Sequence, residues 1–401
     1  MSELPNSSKE RKKYLDAAKG WGITMVVFGH ITSLGNPIDL WFAAYKIPIF
    51  FIVSGYLLCM RQSFRKMSAS QYIWKHFKSL MIPYFGYSAI VMLYNMLVCL
   101  MKGTGRAQMY SKFVYQAYTT LSLRGISALW FLPALFFAQV IFILVMKAKS
   151  NFVRIASGIL SVVITVYTSD TLLPMLKAML TERQYKIVSF PILAVSKGIL
   201  GFWFIGAGYL CFMLFSKIKE RNLRFVIGAV MFVATIFLSQ RNLHVDINLL
   251  RIGDSHLMFY INGILGSMGT ILVLEYLEKW WKMTYLEFAG KNSLIIMATH
   301  GTLGFKVLVI KGWKAIYTLS ETAGPRYYLE CTGILAELML IECGVVSIIN
   351  QYFPWLTGRF KKKTKRGSIH GKTEKPFEGR AGQSKGYEKA GPGNLDFFIY
   401  R

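Results

Sequence analysis

The stretch from residue 14 to residue 60 decides the fold, with YLDAAKGWGITMVVFGH at 14–30 and AAYKIPIFFIVSGYLLCM at 43–60. Each segment is an apolar run long enough to cross a bilayer, for which a helix needs about 20 residues. The first run contains one histidine, His30. Because an imidazole in hydrocarbon is costly, its presence there indicates a functional role at membrane depth.

Apolar runs of this kind recur along the whole chain of 401 residues, of which 54% are hydrophobic. A soluble domain of this size would not carry so many of them. Gly and Pro inside several runs are tolerated in spanning helices. The sequence therefore predicts an all-α fold, a polytopic transmembrane bundle of about ten helices. The predicted spans are 19–35, 41–60, 80–101, 128–146, 152–169, 192–215, 224–239, 257–276, 292–311 and 328–350.

The net charge of +27 is of the kind seen in nucleic-acid-binding proteins, but its distribution excludes that class of partner. The cations gather between apolar runs, on alternate sides of the predicted membrane, and not along one face. By the positive-inside rule this alternation places both termini in the cytoplasm and makes a lipid bilayer the expected partner. The predicted external loop at 102–127 fits the rule less well, since it carries Lys102, Arg106, Lys112 and Arg124.

The chain divides into one membrane domain and two polar ends. We predict a cytoplasmic segment at 1–13, the transmembrane domain at 14–355 and a basic tail at 356–401. The tail has too few aliphatic residues to offset the entropy of ordering, so we expect it to be disordered. The five cysteines lie in or beside apolar runs without CxxC spacing, so neither a metal site nor a disulfide framework is predicted.

Lys19 and His30 are eleven residues apart, close to three helical turns, so both lie on one face of the first helix. If Lys19 lies at the cytoplasmic surface, the rise of about 16 Å puts His30 near the middle of the bilayer. A cation at the rim can bind phosphates, and a deeper base can take a proton from a hydroxyl. A snorkelling lysine and a histidine hydrogen-bonded between helices would explain the same spacing without chemistry.

Several motifs occur in the order found in the integral membrane acyltransferase 3 family, which the sequence resembles. The members of that family include sugar O-acetyltransferases and fucose 4-O-acetyltransferase-like proteins. The motifs are D-x-x-K-G-x-x-x-x-x-V-V-x-G-H ending at His30, P-x-F-F-x-x-S-G-Y at 48–56, KSLMIPYF around Pro83, WFLPALF from Trp130, and GKNSLIIMATH ending at His300.

The resemblance implies a ten-helix enzyme of the cell membrane that transfers an acyl group from cytoplasmic acyl-CoA to a carbohydrate hydroxyl. It makes acyl-CoA a co-substrate and implies no permanently bound cofactor. His30 and Lys19 match the essential histidine and basic residue of the family, although many members have arginine at the second position. Many also have a histidine just before P-x-F-F. This chain has Tyr45, Lys46 and Ile47 at that place and no histidine. The acceptor-side role of the family's histidine is therefore in doubt, or Tyr45 or Lys46 has replaced it.

Further candidate site residues each have a structural alternative. Lys75 and Lys78 would help to bind CoA phosphates, or are ordinary flanking charges. Ser54 lacks a nucleophile elbow and is expected to support packing or a hydrogen bond.

Asp16 is expected to cap the first helix, and pairing with Lys19 or lining a cytoplasmic mouth are its alternatives. Trp130 would stack on a sugar or adenine, or belongs to an aromatic belt. Asn292 and His300 would line the pore wall or make an interhelical hydrogen bond.

From these residues we predict a membrane-bound O-acyltransferase, of O-acetyl type, that modifies a cell-surface or lipid-linked glycan, with His30 as general base. His244 and the other loop histidines are expected to be solvated. The alternative is a transporter of polysaccharide intermediates or other solutes, because a helical bundle with polar residues facing a pore fits that function too. The acyl group, the glycan and the oligomeric state stay open.

Overall fold

The computed structural model describes residues 11–242 and 244–358, and this part of the chain is helical and contains no β-strand. The predicted N-terminal segment up to residue 10 and the predicted tail from residue 359 lie outside the described residues. The α-helices of the described part are α1 (Lys13–Ile31), α2 (Pro37–Tyr45), α3 (Pro48–Arg61), α4 (Ala69–His76), α5 (Ile82–Met101), α6 (Arg106–Leu121), α7 (Phe131–Lys147), α8 (Asn151–Tyr167), α9 (Leu173–Met179), α10 (Glu182–Phe215), α11 (Arg221–Ser239), α12 (His256–Leu277), α13 (Thr284–Lys291), α14 (Ser293–Thr299), α15 (Phe305–Ile316) and α16 (Pro325–Tyr352).

Eight helical segments of the described part are long and apolar enough to cross a membrane. They match eight of the ten predicted spans, all except the first and the ninth. The count of about ten and the location of the termini stay predictions. The eight segments are Pro37–Arg61, Ala69–Met101, Ser127–Lys147, Asn151–Met179, Glu182–Phe215, Arg221–Ser239, His256–Leu277 and Pro325–Tyr352.

The first apolar run forms a helix, but α1 ends at Ile31, so the predicted continuation to residue 35 is wrong. The chain turns at Gly35, whose φ of 81° favours glycine, and the Asn36 side chain then caps the start of α2. His30 consequently lies in the last turn of α1. Lys306 from α15 donates to the His30 carbonyl at 3.2 Å, which places a cation at the helix C-terminus.

Two predicted spans are interrupted where the sequence analysis took them as continuous helices. The run at 41–60 breaks at Lys46 and Ile47, between α2 and α3, and the run at 292–311 breaks at 300–304, between α14 and α15. Pro48 begins α3, and Gly304 has a φ of 80°. Irregular backbone within a membrane bundle is tolerated where it lines a cavity, so these breaks point to the site.

Small residues bring two helix pairs into close backbone contact at the centre of the bundle. Gly20 of α1 lies against the Leu286 carbonyl of α13, and Gly290 lies against the Asp16 carbonyl. Between α3 and α10, Gly55 lies against the Ile205 carbonyl in the same way. A methyl group at any of these positions would meet backbone atoms, so glycine sets the helix spacing. These contacts fix α1 and α3 on either side of the cavity described next.

Candidate functional site

A cavity of about 930 Å³ lies beside the C-terminal end of α1. The α1 side chains in its wall are Ile23, Val26 and His30, which share the stripe of the helix that begins at Lys19. Further wall residues come from the break between α2 and α3, from the start of α7 and from residues 244–254. His30 is exposed at this wall, so its imidazole can reach a molecule in the cavity.

His30 is paired with a second histidine at the break after α14. The rings of His30 and His300 lie 5.2 Å apart between centroids, at an angle of 37°. His300 is fully buried, and its Nδ1 donates to the Ile296 carbonyl at 2.7 Å. Its buried Nε2 has no hydrogen-bond partner among the described residues. The two imidazoles are therefore neighbours, and one ring nitrogen of His300 is left unpaired in this part of the chain.

Lys46, at the first helix break, lines the cavity next to His30. Its ammonium lies over Gly29, where a Cβ atom would be only 2.7 Å from Nζ, so the glycine before His30 makes room for the lysine. Tyr45, the other residue considered at this position, is fully buried and accepts a hydrogen bond from Trp21 at 3.1 Å. Of the two, the structure brings Lys46 to the cavity.

A buried carboxylate connects Lys46 with a histidine from a distant loop. Asp39 is fully buried, lies 3.9 Å from Lys46 Nζ and accepts from the Gly35 amide at 2.8 Å. Its Oδ2 also lies 2.7 Å from Nδ1 of His244, which lines the cavity. The prediction that His244 is a solvated loop residue is therefore wrong. A carboxylate on one ring nitrogen orients the imidazole and leaves its Nε2 available.

Residues 244–255, here called the cover loop, form most of one cavity wall. Asp246 and Arg251 pair through their backbones, and the Asp246 side chain caps the short helix Ile247–Leu249. At its far end, Nε2 of His256 lies 2.5 Å from Asp170, on the π-helical segment Thr168–Leu172. The cover loop is thus held at both ends, through His244 and His256, by carboxylates of other elements.

The other end of α1 carries a different set of charges. Asp16 is buried, its Oδ1 lies 2.8 Å from Lys19 Nζ, and it also pairs with Arg11. Among the described residues the Asp16 carboxylate bonds to Arg11 and Lys19 and not to a backbone amide of the first turn, so it pairs with Lys19 and does not cap the helix as favoured from the sequence. Lys19 does not line the cavity beside His30. Four residues, about 6 Å of rise, separate it from Ile23 in the cavity wall.

Lys75 and Lys78 lie on the segment before Pro83 and also stand away from the cavity. Lys75 is exposed, and Lys78 Nζ lies 5.6 Å from the Trp74 ring centroid. Both are at least partly exposed and remain accessible to an anion.

Ser54, Asn292 and Trp130 have defined contacts. Ser54 donates to the Phe50 carbonyl at 2.8 Å within its own helix. Asn292 donates to the Phe288 carbonyl at 2.9 Å and accepts from Asn350 of α16 at 3.1 Å. Trp130 lines the cavity. The structure therefore brings His30, His300 and Trp130 to one site, whereas Ser54 and Asn292 make contacts between or within helices.

Comparison with known protein families decides the class. The sequence profile of one family, described as an acyltransferase domain, matches residues 12–335. The chain belongs to the acyltransferase 3 family. Together, the apolar helices and the family membership make this acyltransferase a multi-pass membrane protein. No curated protein and no solved structure matches the chain.

The sequence analysis did not select three ionisable residues at or beside this cavity as site residues. Asp39 and His244 meet across 205 positions of sequence, which no local pattern reveals. Lys197 is fully buried in α10, with its Nζ 4.7 Å from the ring centroid of Trp130. One signal was present: Asp39 and Lys197 are charged residues in or at the edge of apolar runs, and such residues are functional candidates by default.

Proposed function

We propose that this acyltransferase moves an acyl group, of O-acetyl type, from cytoplasmic acyl-CoA to a hydroxyl of a cell-surface or lipid-linked glycan. The protein lies in the cell membrane, and acyl-CoA is a co-substrate that is not permanently bound. Lys19 binds phosphates of CoA, with Lys75 and Lys78 as further cations. His30 is the general base for the acceptor hydroxyl.

The observation that carries the proposal is the cavity wall formed by Ile23, Val26 and His30. These residues follow Lys19 along one stripe of α1, so an extended CoA arm anchored at Lys19 would lead towards His30. The imidazole faces space of about 930 Å³, enough for an acyl group and a sugar ring together. Family membership supplies the class of reaction, and this arrangement supports His30 as its centre.

The reaction balances with these groups alone. The acceptor hydroxyl gives its proton to His30, its oxygen forms a bond to the thioester carbonyl carbon, and the carbon–sulfur bond breaks. The CoA thiolate then takes the proton from the imidazolium, which restores neutral His30. In the two-step variant the imidazole first forms an acyl-histidine and the hydroxyl attacks that intermediate. Quenching during turnover with a denaturant at neutral pH distinguishes the two routes, because only the second leaves label on the protein.

The test is covalent transfer in cells and in reconstituted membranes. Mass spectrometry compares surface glycans of cells that make wild-type protein, His30→Ala protein or none, and we expect an added acetyl group only with the wild type. Membranes from the same cells should move radiolabel from acetyl-CoA to the glycan. Unmodified glycan on both sides of the membrane, moved only when the protein is present, would instead support the transporter and contradict the proposal.

A further inference from the structure

Two buried cations meet at one side-chain oxygen in the cover loop. The Arg124 guanidinium donates from Nη1 to the Asn248 side-chain oxygen, and Lys197 Nζ lies 3.4 Å from the same oxygen. Arg124 is 8% exposed, and Lys197 is fully buried. Arg124 Nε has no hydrogen-bond partner within the described part of the chain. Two basic side chains thus converge on a neutral amide group.

Neither cation has a carboxylate partner within ion-pair distance in the described residues. The second contact of Lys197 is the Arg124 carbonyl at 3.5 Å, which is long for a hydrogen bond. The Asp246 carboxylate accepts from the amides of Asn248 and Leu249 through Oδ1 and makes no ion pair with Arg124 or Lys197 within the described residues. Burying basic groups without compensating charge is unfavourable, so an anion placed between Arg124 and Lys197 would remove a cost already present in the fold.

The convergence point lies where two cavities meet. A second cavity of about 980 Å³ has Arg124 in its wall, and Asn248 lines both it and the cavity of His30. Ser127 and Ser169 also belong to both walls. A chain molecule that extends from the first cavity into the second would therefore pass Asn248, whose side-chain oxygen lies between the two basic side chains, where an anionic oxygen would bind.

The second cavity has the residues expected for an acidic carbohydrate. Tyr115, Tyr185 and Phe190 offer aromatic faces, and Lys177 and Lys186 add cations at the wall, with Glu182 paired to Lys186 at 2.5 Å. Arg124 and these lysines lie in loops and helix ends predicted to be external, where the positive-inside rule disfavours cations. Binding of an anionic acceptor gives a reason for their position.

We propose that Arg124 and Lys197 bind an anionic group, carboxylate or phosphate, of the glycan acceptor. This inference rests on the proposed acyltransfer and names the chemistry of its second substrate. The anion takes the place of the Asn248 oxygen, one sugar ring contacts Trp130, and the rest of the chain follows the second cavity. The hydroxyl that receives the acyl group then faces His30.

The test measures binding of defined probes to the full chain in lipid nanodiscs, without acyl-CoA. Tetragalacturonate supplies carboxylates, mannose 6-phosphate supplies a phosphate, and maltotetraose and mannose are the neutral counterparts. We expect at least one anionic probe to bind about tenfold tighter than its neutral counterpart, the factor that one charge-assisted hydrogen bond provides. The probe that shows the preference identifies the anion. Equal binding of the charged and neutral members of both pairs would overturn the proposal.

Lys197→Met tests the buried amine with a side chain of similar length. We expect the anionic preference to disappear while the melting temperature stays equal or rises, because an apolar group replaces a basic group that lacks an ion-pair partner. Lys102→Gln, at an exposed lysine of the predicted external loop that lines neither cavity, is the matched control and should keep the preference. A Lys197→Met protein that keeps the full preference would contradict the proposal. If that variant fails to fold, the comparison of charged and neutral probes on the wild type decides.

The outcome separates this inference from the proposed function. Anionic preference without transfer of label from acetyl-CoA would support the anion site and reject the acyltransfer. Transfer of label by a protein that binds charged and neutral probes equally would support the acyltransfer and reject the anion site.

Discussion

The two ends of α1 differ in how completely they are built. At the C-terminal end, His30 faces a cavity whose wall comes from six regions of the chain, with His300, Lys46 and Asp39 in contact around it. At the N-terminal end, Lys19 makes an ion pair with Asp16, and neither Lys19 nor Lys75 nor Lys78 lines the cavity. The first end is preorganised around a cavity, whereas the second offers partly exposed cations outside it.

This difference suggests a division of roles along one helix. Reacting atoms need fixed geometry, and burial with multiple contacts provides it around His30. A flexible polyphosphate needs positive charge more than fixed geometry, and half-exposed lysines provide that. Substitutions at the His30 end should therefore reduce the rate of transfer, and substitutions at the Lys19 end should weaken the use of acyl-CoA.

The largest effect is expected for His30→Ala. Loss of a general base lowers kcat by about 10²- to 10⁴-fold, and here the substitution removes only a side chain that faces a cavity, so folding should be unaffected. Transfer of label from acetyl-CoA measures the rate, and size-exclusion chromatography in detergent reports the folded state. His76→Ala is the control, because His76 stacks on Tyr72, 4.3 Å between ring centroids, and does not line the cavity. Wild-type rates in His30→Ala would remove His30 from the mechanism.

Asp39→Asn should give the next largest effect. The amide cannot hold Lys46 and His244 as the carboxylate does, so we expect a loss of about 1–3 kcal/mol in stability and about tenfold in kcat. Thermal unfolding in nanodiscs and initial rates measure the two. Glu182→Gln, which breaks an exposed ion pair with Lys186, should leave the melting temperature unchanged. If Asp39→Asn behaves like that control, the buried charge network is not part of the site.

Lys19→Gln tests the other end of the helix. Loss of a charge-assisted phosphate contact should raise KM for acetyl-CoA about tenfold with kcat nearly constant, and Lys19→Arg should keep most of the affinity. Lys12→Gln, just before α1, is the matched control. Equal losses with glutamine and arginine would argue against phosphate binding, and a fall in kcat alone would place Lys19 with the reacting groups.

The smallest effect is expected for Lys75→Gln and Lys78→Gln. Exposed cations contribute little individually, so each change should raise KM for acetyl-CoA only about two- to fourfold, and less in high salt. Lys66→Gln, on the same connecting segment, provides the baseline for a flanking charge. If the KM for acetyl-CoA changes at Lys75 and Lys78 only as much as at Lys66, both lysines serve membrane orientation alone.

Hydropathy and motif order predicted much of the molecule. The all-helical class is confirmed, eight predicted spans correspond to apolar helices, and the family is confirmed. The breaks at Lys46 and at His300 were missed because apolar residues continue on both sides of them, and a hydropathy window does not register a change of backbone direction. The first break lines the cavity, and the second brings His300 beside His30.

Helical periodicity predicted only those site residues that share one element, whereas His300 and Trp130 were selected from motif order. Lys19 and His30 lie on α1, so helical periodicity alone placed them on one stripe. Asp39 and His244 belong to elements that pack together only in the folded bundle, and the sequence gives no local sign of their contact. Lys46 was weighed because of its place in a motif, and the structure distinguishes it from Tyr45 by its exposure to the cavity.

The central claim is that the acyl group reaches the cavity at His30 from the Lys19 end of α1. An electron cryo-microscopy structure of the full chain in nanodiscs, with a non-hydrolysable acetyl-CoA analogue bound, tests it most directly. The account predicts the acyl carbon about 3–3.5 Å from a ring nitrogen of His30 and CoA phosphates beside Lys19. An analogue bound with its acyl group outside this cavity, or with its phosphates at the cover loop, would contradict it.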